Sequence, residues 1–364
     1  MKCDVLVIGG GPAGSSAAIC LSRAGYSVVV VTERKQKEKP TETSKPQFKH
    51  FLQSIGAEQA LAACEPCNGI VSDWGLTVPT LKPSILNPFG HPWFINRTRF
   101  DDEIQKCAKA KGAIWVEARA DYVEFEEQCV NTKTTLGRFS AKWLLIANGS
   151  IHWASRVTSQ PIIAKDSLIA CWAKVHGRVT DKFLLTETCD DGWWYSCPDM
   201  NGGALACFVT DAEGHRKLKP SLPEYWSAAF SRTYISKAIP EIGSIKHVNI
   251  LRTGLAMLSQ KCGHRWISIG DAAMVLDPLG SSGTVTAIES ALHASLAIGS
   301  VISGDRTGMA NYERWSRSLF SEFCKQRAGR YQSEAKLRNS GFWNRRMHPD
   351  ASIAATPQAN GERI

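Results

Sequence analysis

Apolar and polar positions along the chain fall into blocks with different periods. Cys3–Ile8 is an apolar, β-branched run, Ala13–Ala24 is a stretch of small residues at helical spacing, and Ser27–Thr32 is a second apolar run. Strand, helix and strand in that order predict a βαβ opening. Ile114–Ala118, the alternating residues around Tyr122–Phe125 and the run Trp143–Ala147 predict further strands, the last one buried and followed by Asn148–Gly149. From about Asp166 to His247 the texture changes. Leu168–Val175, Phe183–Thr186 and Ala204–Val209 are strand-like and are separated by Gly, Asp and Asn turns, the pattern of an antiparallel sheet. Trp266–Ile269 then predicts a strand, followed by a glycine-rich turn and a long helix over Thr284–Val301.

The expected architecture is therefore α/β: a Rossmann-type nucleotide domain with an inserted antiparallel-sheet substrate domain. The nucleotide domain is expected over 1–165 and 248–348, the inserted sheet over 166–247, with 69–95 contributing to the substrate region. Residues 349–364 lack periodicity and are expected to form a disordered tail. No internal repeat is visible.

Composition narrows the class. With 364 residues, 43% hydrophobic and 21% charged, the chain can bury a sizeable core in two packed regions. No apolar run approaches the roughly 18 to 20 residues of a membrane span, and Val5–Ile8 breaks into glycines, unlike a signal-peptide core. Twelve cysteines without a dense framework fit reduced thiols. The expected compartment is the cytoplasm, with no membrane association. Cys64 and Cys67 form a lone CxxC, which favours a structural reading over zinc, so no metal is expected. The formal charge of +9 is spread along the chain, apart from Lys35, Lys37, Lys39 and a C-terminal scatter ending in Arg345–Arg346, all read as solvated faces. No nucleic-acid partner is expected; an anionic cofactor or an acidic protein fits the charge equally.

Gly9-Gly10-Gly11-Pro12-Ala13-Gly14 satisfies GxGxxG between a predicted strand and helix, and Glu33 ends the next strand. Gly9 permits the tight turn, Gly11 lets backbone approach a pyrophosphate, and Gly14 lets helix and strand pack closely. Pro12 and Ala13 start a helix whose N-terminal N–H groups favour phosphate, and Glu33, with Arg34 beside it, faces the ribose. There is no second such motif in a strand-turn-helix context, so the chain has one dinucleotide site, and any nicotinamide acts transiently or elsewhere.

Asn96-Arg97-Thr98-Arg99-Phe100-Asp101, Ile269-Gly270-Asp271-Ala272-Ala273 and Asp277 through Gly283 resemble the further fingerprints of p-hydroxybenzoate hydroxylase-like flavoproteins. The resemblance implies FAD, with Arg97 approaching the cofactor and Gly270–Asp271 holding its ribityl and pyrophosphate region. It also implies a second flavin-facing segment containing Pro278, Ser282, Gly283 and Thr284. A carboxylate at Asp271 can accept ribityl hydroxyls, or serve as a turn residue or cap. A helix starting near Gly283 aims N–H groups at the pyrimidine end of the flavin.

Gly192-Trp193-Trp194-Tyr195-Ser196-Cys197-Pro198, Lys39-Pro40-Thr41-Glu42-Thr43 and Phe342-Trp343-Asn344-Arg345-Arg346 are similar to a narrower branch. That branch holds flavin-dependent tryptophan halogenases, lipid-type reductases and the monooxygenases that mature tryptophylquinones. Trp193 and Trp194 are either sheet packing or a substrate-facing wall. Relative to the halogenases, Tyr195 and Cys197 replace a tryptophan and an isoleucine, Asn68–Trp74 holds no lysine, and Gly280 stands where they carry a glutamate. Without an amine to capture hypohalous acid, halogenation is disfavoured.

Glu42, Lys45, Trp193 and Tyr195 are the candidates for catalytic roles, with His50, His91 and His152 as further titratable neighbours. The resemblance implies an FAD-dependent monooxygenase that hydroxylates a tryptophan in a precursor tryptophylquinone oxidase, such as the lysine and glycine oxidases, with a separate reductant as a second partner. A halogenase or hydroxylase of a small aromatic molecule and a non-catalytic flavin-binding chaperone are the alternatives.

Overall fold

The computed structural model describes residues 1–33, 39–74, 78–177, 179, 181–239, 242–305 and 307–346. The expected tail at 349–364 and Arg34 lie outside the described residues. The first sheet contains β1 (Lys2–Ile8), β2 (Val28–Thr32), β8 (Ile114–Glu117), β9 (Ala120–Phe125), β10 (Val130–Thr134), β11 (Gly137–Ile146), β17 (Cys262–Gly263) and β18 (Trp266–Ser268). Its path β18-β11-β1-β2-β8 is parallel throughout. The chain leaves β1 toward β2 on one side and later returns to β11 on the other, so the carboxyl ends of β1 and β11 open a crevice at the switch point.

The second sheet runs β19-β16-β12-β15-β14-β13-β5-β6. It is built from β5 (Gly69–Ser72), β6 (Thr80–Pro83), β12 (Ile162–Val175), β13 (Phe183–Cys189), β14 (Gly192–Pro198), β15 (Ala204–Thr210), β16 (Asn249–Leu258) and β19 (Met274–Val275). It draws strands from beyond 166–247 at both ends and from the 69–95 segment. Part of the reason lies in β12, whose register shifts between Ala164 and Asp166, breaking the two-residue period before Leu168. A third, small sheet joins β3 (Glu42–Ser44), β4 (Cys64–Pro66) and β7 (Trp93–Ile95).

The helices are α1 (Pro12–Arg23), α2 (Phe48–Ile55), α3 (Arg97–Ala110), α4 (Ile151–Thr158), α5 (Ala212–Leu218), α6 (Pro223–Phe230), α7 (Tyr234–Lys237), α8 (Gly283–Ile302), α9 (Thr307–Arg338) and α10 (Gly341–Asn344). Small residues on α1 (Ala17, Ala18) and on α8 (Ala291, Ala294) are fully buried in one core with Val5 and Val7 of β1. Contrary to the expectation that no segment is apolar enough for a membrane span, α8 has the length and composition of one, with a mean hydropathy of 1.5. Half of that window is buried inside the protein, so α8 has the packing of a core helix.

The C-terminal basic cluster is a solvated face only in part: Arg345 is exposed, as expected. Arg346 is buried, with its guanidinium 2.8 Å from Asp166 and 2.9 Å from Asp211. Its neighbour Trp343 donates its indole N–H to the Cys189 carbonyl at 2.8 Å, docking α10 onto the second sheet. Buried guanidinium–carboxylate contacts of this kind specify where a segment docks more than they add net stability.

Candidate functional site

A cavity of about 1350 Å³ opens at the switch point, lined by Gly9 to Ala13, Glu33, Glu42, Arg97, Asn148 to Ser150, Asp271, Gly283 and Thr284. Its floor is backbone held under close constraint. Gly9 adopts φ +108°, and a Cβ there would sit 2.4 Å from the Ala147 carbonyl oxygen, so β1 and β11 meet only because the residue is glycine. A Cβ at Gly14 would lie 1.9 Å from the Gly9 carbonyl oxygen, which is the close helix-to-turn packing the motif requires.

Gly11 differs. A Cβ there would meet no protein atom within 4 Å. The open face of the loop at Gly11 and the start of α1 together make a cradle that a side chain would fill, as an anion-binding helix N-terminus demands. Two side chains brace the loop: the Thr32 hydroxyl accepts from the Gly10 N–H at 3.1 Å, and the Gln105 amide donates to the Gly10 carbonyl at 3.0 Å.

The opposite wall is ionic. The register Glu42↔Ile95 between β3 and β7 brings Glu42 beside the start of α3. There the Arg97 guanidinium binds the Glu42 carboxylate and lies 3.3 Å from Asp101, one helical turn on. The other oxygen of Glu42 accepts from the Thr284 hydroxyl at 2.9 Å, in the first turn of α8. Asn96 caps α3 by accepting from the Arg99 N–H at 3.1 Å. Burial works against the charge on Arg97, but Glu42 and Asp101 outweigh it and hold the guanidinium protonated. Both oxygens of Glu42 are therefore committed to fixing its neighbours, an arrangement suited to orientation more than to proton transfer.

Asp271 faces the same cavity. Its carboxyl is open to the cavity yet ringed by protein, and burial raises it to about 6; Glu42 adds to the rise and Arg97 opposes it. Gly270, at φ +57°, brings this turn against α1, where an added Cβ would stand 3.0 Å from that of Ala13. Its N–H donates to the Ser290 hydroxyl at 3.0 Å. Gly14, Gly270, Pro278 and Ser282, expected at the cofactor, are not among the residues lining the cavity; the Ser282 hydroxyl instead donates to the Gly280 carbonyl at 3.0 Å.

The remaining candidates sit elsewhere. Trp193 and Trp194 point to opposite faces of β14, as successive strand residues must. Trp194 packs with Phe208, Trp226 and Phe230 on one face. Trp193 is buried on the other, next to Tyr195. Both tryptophans form sheet core. Burial pushes the Tyr195 phenol well above the ordinary tyrosine range. Lys45 stands behind the wall, where burial and then Arg330 lower its ammonium while Glu289 opposes them. His50, His91 and His152 are exposed at the surface. The Cys64 thiol is raised to about 12 by burial, and among the described residues no group of His, Cys, Asp and Glu is arranged to hold a metal.

Sequence reasoning passed over Gln105, Trp115 and Trp153, all on the cavity wall. A signal for the first was present: Arg97, Asp101, Gln105 and Lys109 recur every four residues and form a polar stripe along α3 that faces the cavity.

Comparison with known proteins identifies the cofactor. The family described as "FAD binding domain" matches residues 2–321. The chain belongs to that family. Its cofactor is FAD, and the chain is an FAD-dependent oxidoreductase with a Rossmann-type nucleotide fold. It is similar to the putative FAD-dependent oxidoreductase LodB of Marinomonas mediterranea, 23% identical over 94% of this chain and 96% of that one. The flavin-dependent halogenase rdc2 of Metacordyceps chlamydosporia is 25% identical over 88% of this chain and 69% of its own length. Among solved structures, the peptidyl tryptophan dihydroxylase QhpG covers all of this chain and 81% of its own, with a TM-score of 0.78 and 22% identity. The flavin-dependent halogenase CmlS has a TM-score of 0.85 at 21% identity, covering 97% of this chain and 69% of its own. At these identities the structural likeness establishes the fold, which agrees with the p-hydroxybenzoate hydroxylase-like resemblance.

Proposed function

We propose that this chain is an FAD-dependent monooxygenase that hydroxylates a tryptophan side chain within a protein, the precursor of a tryptophylquinone oxidase. The observation that supports the reading is the likeness to QhpG, whose described action is on a peptidyl tryptophan and which covers the whole chain with a TM-score of 0.78, beside a match to LodB over 94% of this chain and 96% of that one.

In this reading the parallel sheet holds the cofactor and the antiparallel sheet faces the substrate. The N–H groups of Gly11 and Ala13 bind the pyrophosphate, Glu33 accepts from the ribose, and Asp271 accepts from the ribityl chain. Arg97, held between Glu42 and Asp101, presents a fixed positive charge beside the cofactor. The α8 N-terminus at Gly283 and Thr284 supplies N–H donors to the pyrimidine end, where negative charge accumulates on reduction. When bound and reduced, FAD supplies the activation of dioxygen.

A protein partner is supported by the β6 edge and the turn after it, where Ile85 is 91%, Leu86 77% and Phe89 71% exposed. Apolar side chains this open, clustered in one short segment, mark interaction surfaces more often than isolated surface residues do. Co-expression with a precursor oxidase and mass measurement of its tryptophan peptide tests the reading: oxygen addition is expected only when this chain is present. A precursor of unchanged mass overturns it. A second reading, turnover of a small aromatic molecule, is favoured by the high TM-score to CmlS. Halogenated or hydroxylated product from free tryptophan or a pyrrole, with reduced FAD, dioxygen and halide, selects it instead.

A further inference from the structure

A line of buried charge runs from the segment just after α10 to the loop that begins α8. The Arg346 guanidinium lies 2.9 Å from Asp211 on one side. On the other it grips Asp166 with two nitrogens, at 2.8 and 3.0 Å. Asp166 also binds the Arg327 guanidinium, which in turn stands 2.5 Å from Asp277. Asp211, Arg346, Asp166, Arg327 and Asp277 thus alternate in sign, and none of these side chains keeps more than 13% of its surface exposed. At this depth each charge depends on its neighbours in the line more than on water.

The far end reaches the cavity wall through bonds and backbone alone. The Asp277 carboxylate accepts from the Leu279 N–H at 2.9 Å and so sets the turn Pro278–Gly280. Ser281 follows at φ +47°, with its hydroxyl 2.7 Å from that of Thr43. Gly283 and Thr284 then begin α8 and line the cavity, and the Thr284 hydroxyl bonds Glu42, which lines it too. Docking of α10 does not require this line. Trp343 already bonds the Cys189 carbonyl, and Arg345 already binds Asp211 and Glu213. A second, buried guanidinium that reaches on to Asp166 is left without a docking role.

We propose that Arg346 is a positioning residue for the cofactor: through Asp166, Arg327 and Asp277 it fixes the loop that aims the first N–H groups of α8 at the flavin. Without Arg346, Asp166 has a single guanidinium and draws Arg327 away from Asp277, because an unpaired buried carboxylate is costly. The turn at Pro278 then loses its anchor, and the N–H groups of Gly283 and Thr284 lose their aim. Donors placed where negative charge gathers on reduction hold the reduced cofactor more tightly than the oxidised one, so misplacing them falls mainly on the reduced form. The inference rests on the reading that places the α8 N-terminus at the pyrimidine end of the flavin, and it is independent of the substrate.

Redox titration of the FAD-loaded protein against an indicator dye tests it, since the midpoint potential reads the ratio of affinities for reduced and oxidised FAD. Arg346→Gln should lower that ratio severalfold and the potential with it. Arg338→Gln, which strips the buried Glu334 of an ion pair on the same helix α9, should lower the melting temperature and leave the potential at the wild-type value. An unchanged potential in Arg346→Gln, or an equal fall in Arg338→Gln, overturns the proposal. Gly283→Val separates the link from the placement: no protein atom lies within 4 Å of the added Cβ, so the side chain enters the cavity and should cut the FAD content of the purified protein. A full FAD content in Gly283→Val overturns the placement on which the proposal rests, whereas a reduced content there beside an unchanged potential in Arg346→Gln overturns the link alone. Should Arg346→Gln fail to retain FAD, Arg346→Lys decides, because it keeps the charge and loses the two-nitrogen grip on Asp166. A lowered potential in that variant supports the proposal, and an unchanged one overturns it.

Discussion

The two large sheets carry their chemistry in different currencies. In the parallel sheet the decisive groups are backbone: a turn at Gly9, an open cradle at Gly11 and the N-termini of α1 and α8, all at strand ends around one switch point. In the antiparallel sheet they are side chains from distant parts of the chain, such as Trp193 on Tyr331 or Arg346 on Asp166. The contrast teaches that the cavity floor depends on backbone shape at Gly9 and Gly14, whereas the antiparallel sheet depends on which side chains distant segments deliver to its buried carboxylates Asp166, Asp211 and Asp277.

That comparison can be broken by substitution. The largest loss is expected for Arg327→Ala, which leaves Asp166 and Asp277 without the guanidinium lying between them. Stripping one partner from a buried pair costs about 3 to 5 kcal/mol, to be read by denaturant unfolding. Gly14→Val should cost about 3 kcal/mol or more, since its Cβ would overlap the Gly9 carbonyl and force α1 off the sheet.

Gly11→Val sharpens the contrast. Nothing in the protein stands within 4 Å of the new Cβ, so the apoprotein should melt as the wild type does while losing the yellow colour of bound FAD. A normal flavin content in Gly11→Val would remove the pyrophosphate from this loop.

Asp271 gives a pH dependence with a definite sign. Its carboxyl, raised to about 6 in the fold from an ordinary value of 3.8, binds more protons folded than unfolded between those values. Its contribution to apoprotein stability is therefore lost as pH rises from about 4 to about 6. Asp271→Asn should gain on the wild type across that window and hold a constant advantage above it, while binding FAD more weakly by about 1 to 3 kcal/mol. Thermal melts and flavin titrations over the same pH series read both effects.

The smallest effect on stability is expected at the surface. Ile85→Ser, at a side chain 91% exposed, should leave unfolding within about 0.5 kcal/mol and FAD content unchanged. Oxidation of a precursor protein should nevertheless fall, and an unchanged yield would remove this patch from the partner interface.

Sequence by itself determined the βαβ opening, FAD as the cofactor through a family resemblance, and the outline of the second sheet. The physical reason is that turns, close backbone approaches and strand periods depend on residues near one another in the chain, so the Gly9 to Gly14 turn can be read locally, whereas Asp271 is reached only through the resemblance. Only the tertiary structure decided that Glu42 is an ion-paired strut to Arg97 and Thr284, that Trp193 and Trp194 serve as core, and that Arg346 is buried. Each of those facts depends on which partner a distant strand or helix delivers. A single side chain has the same chemistry in any of those settings, and packing alone chooses which one it meets.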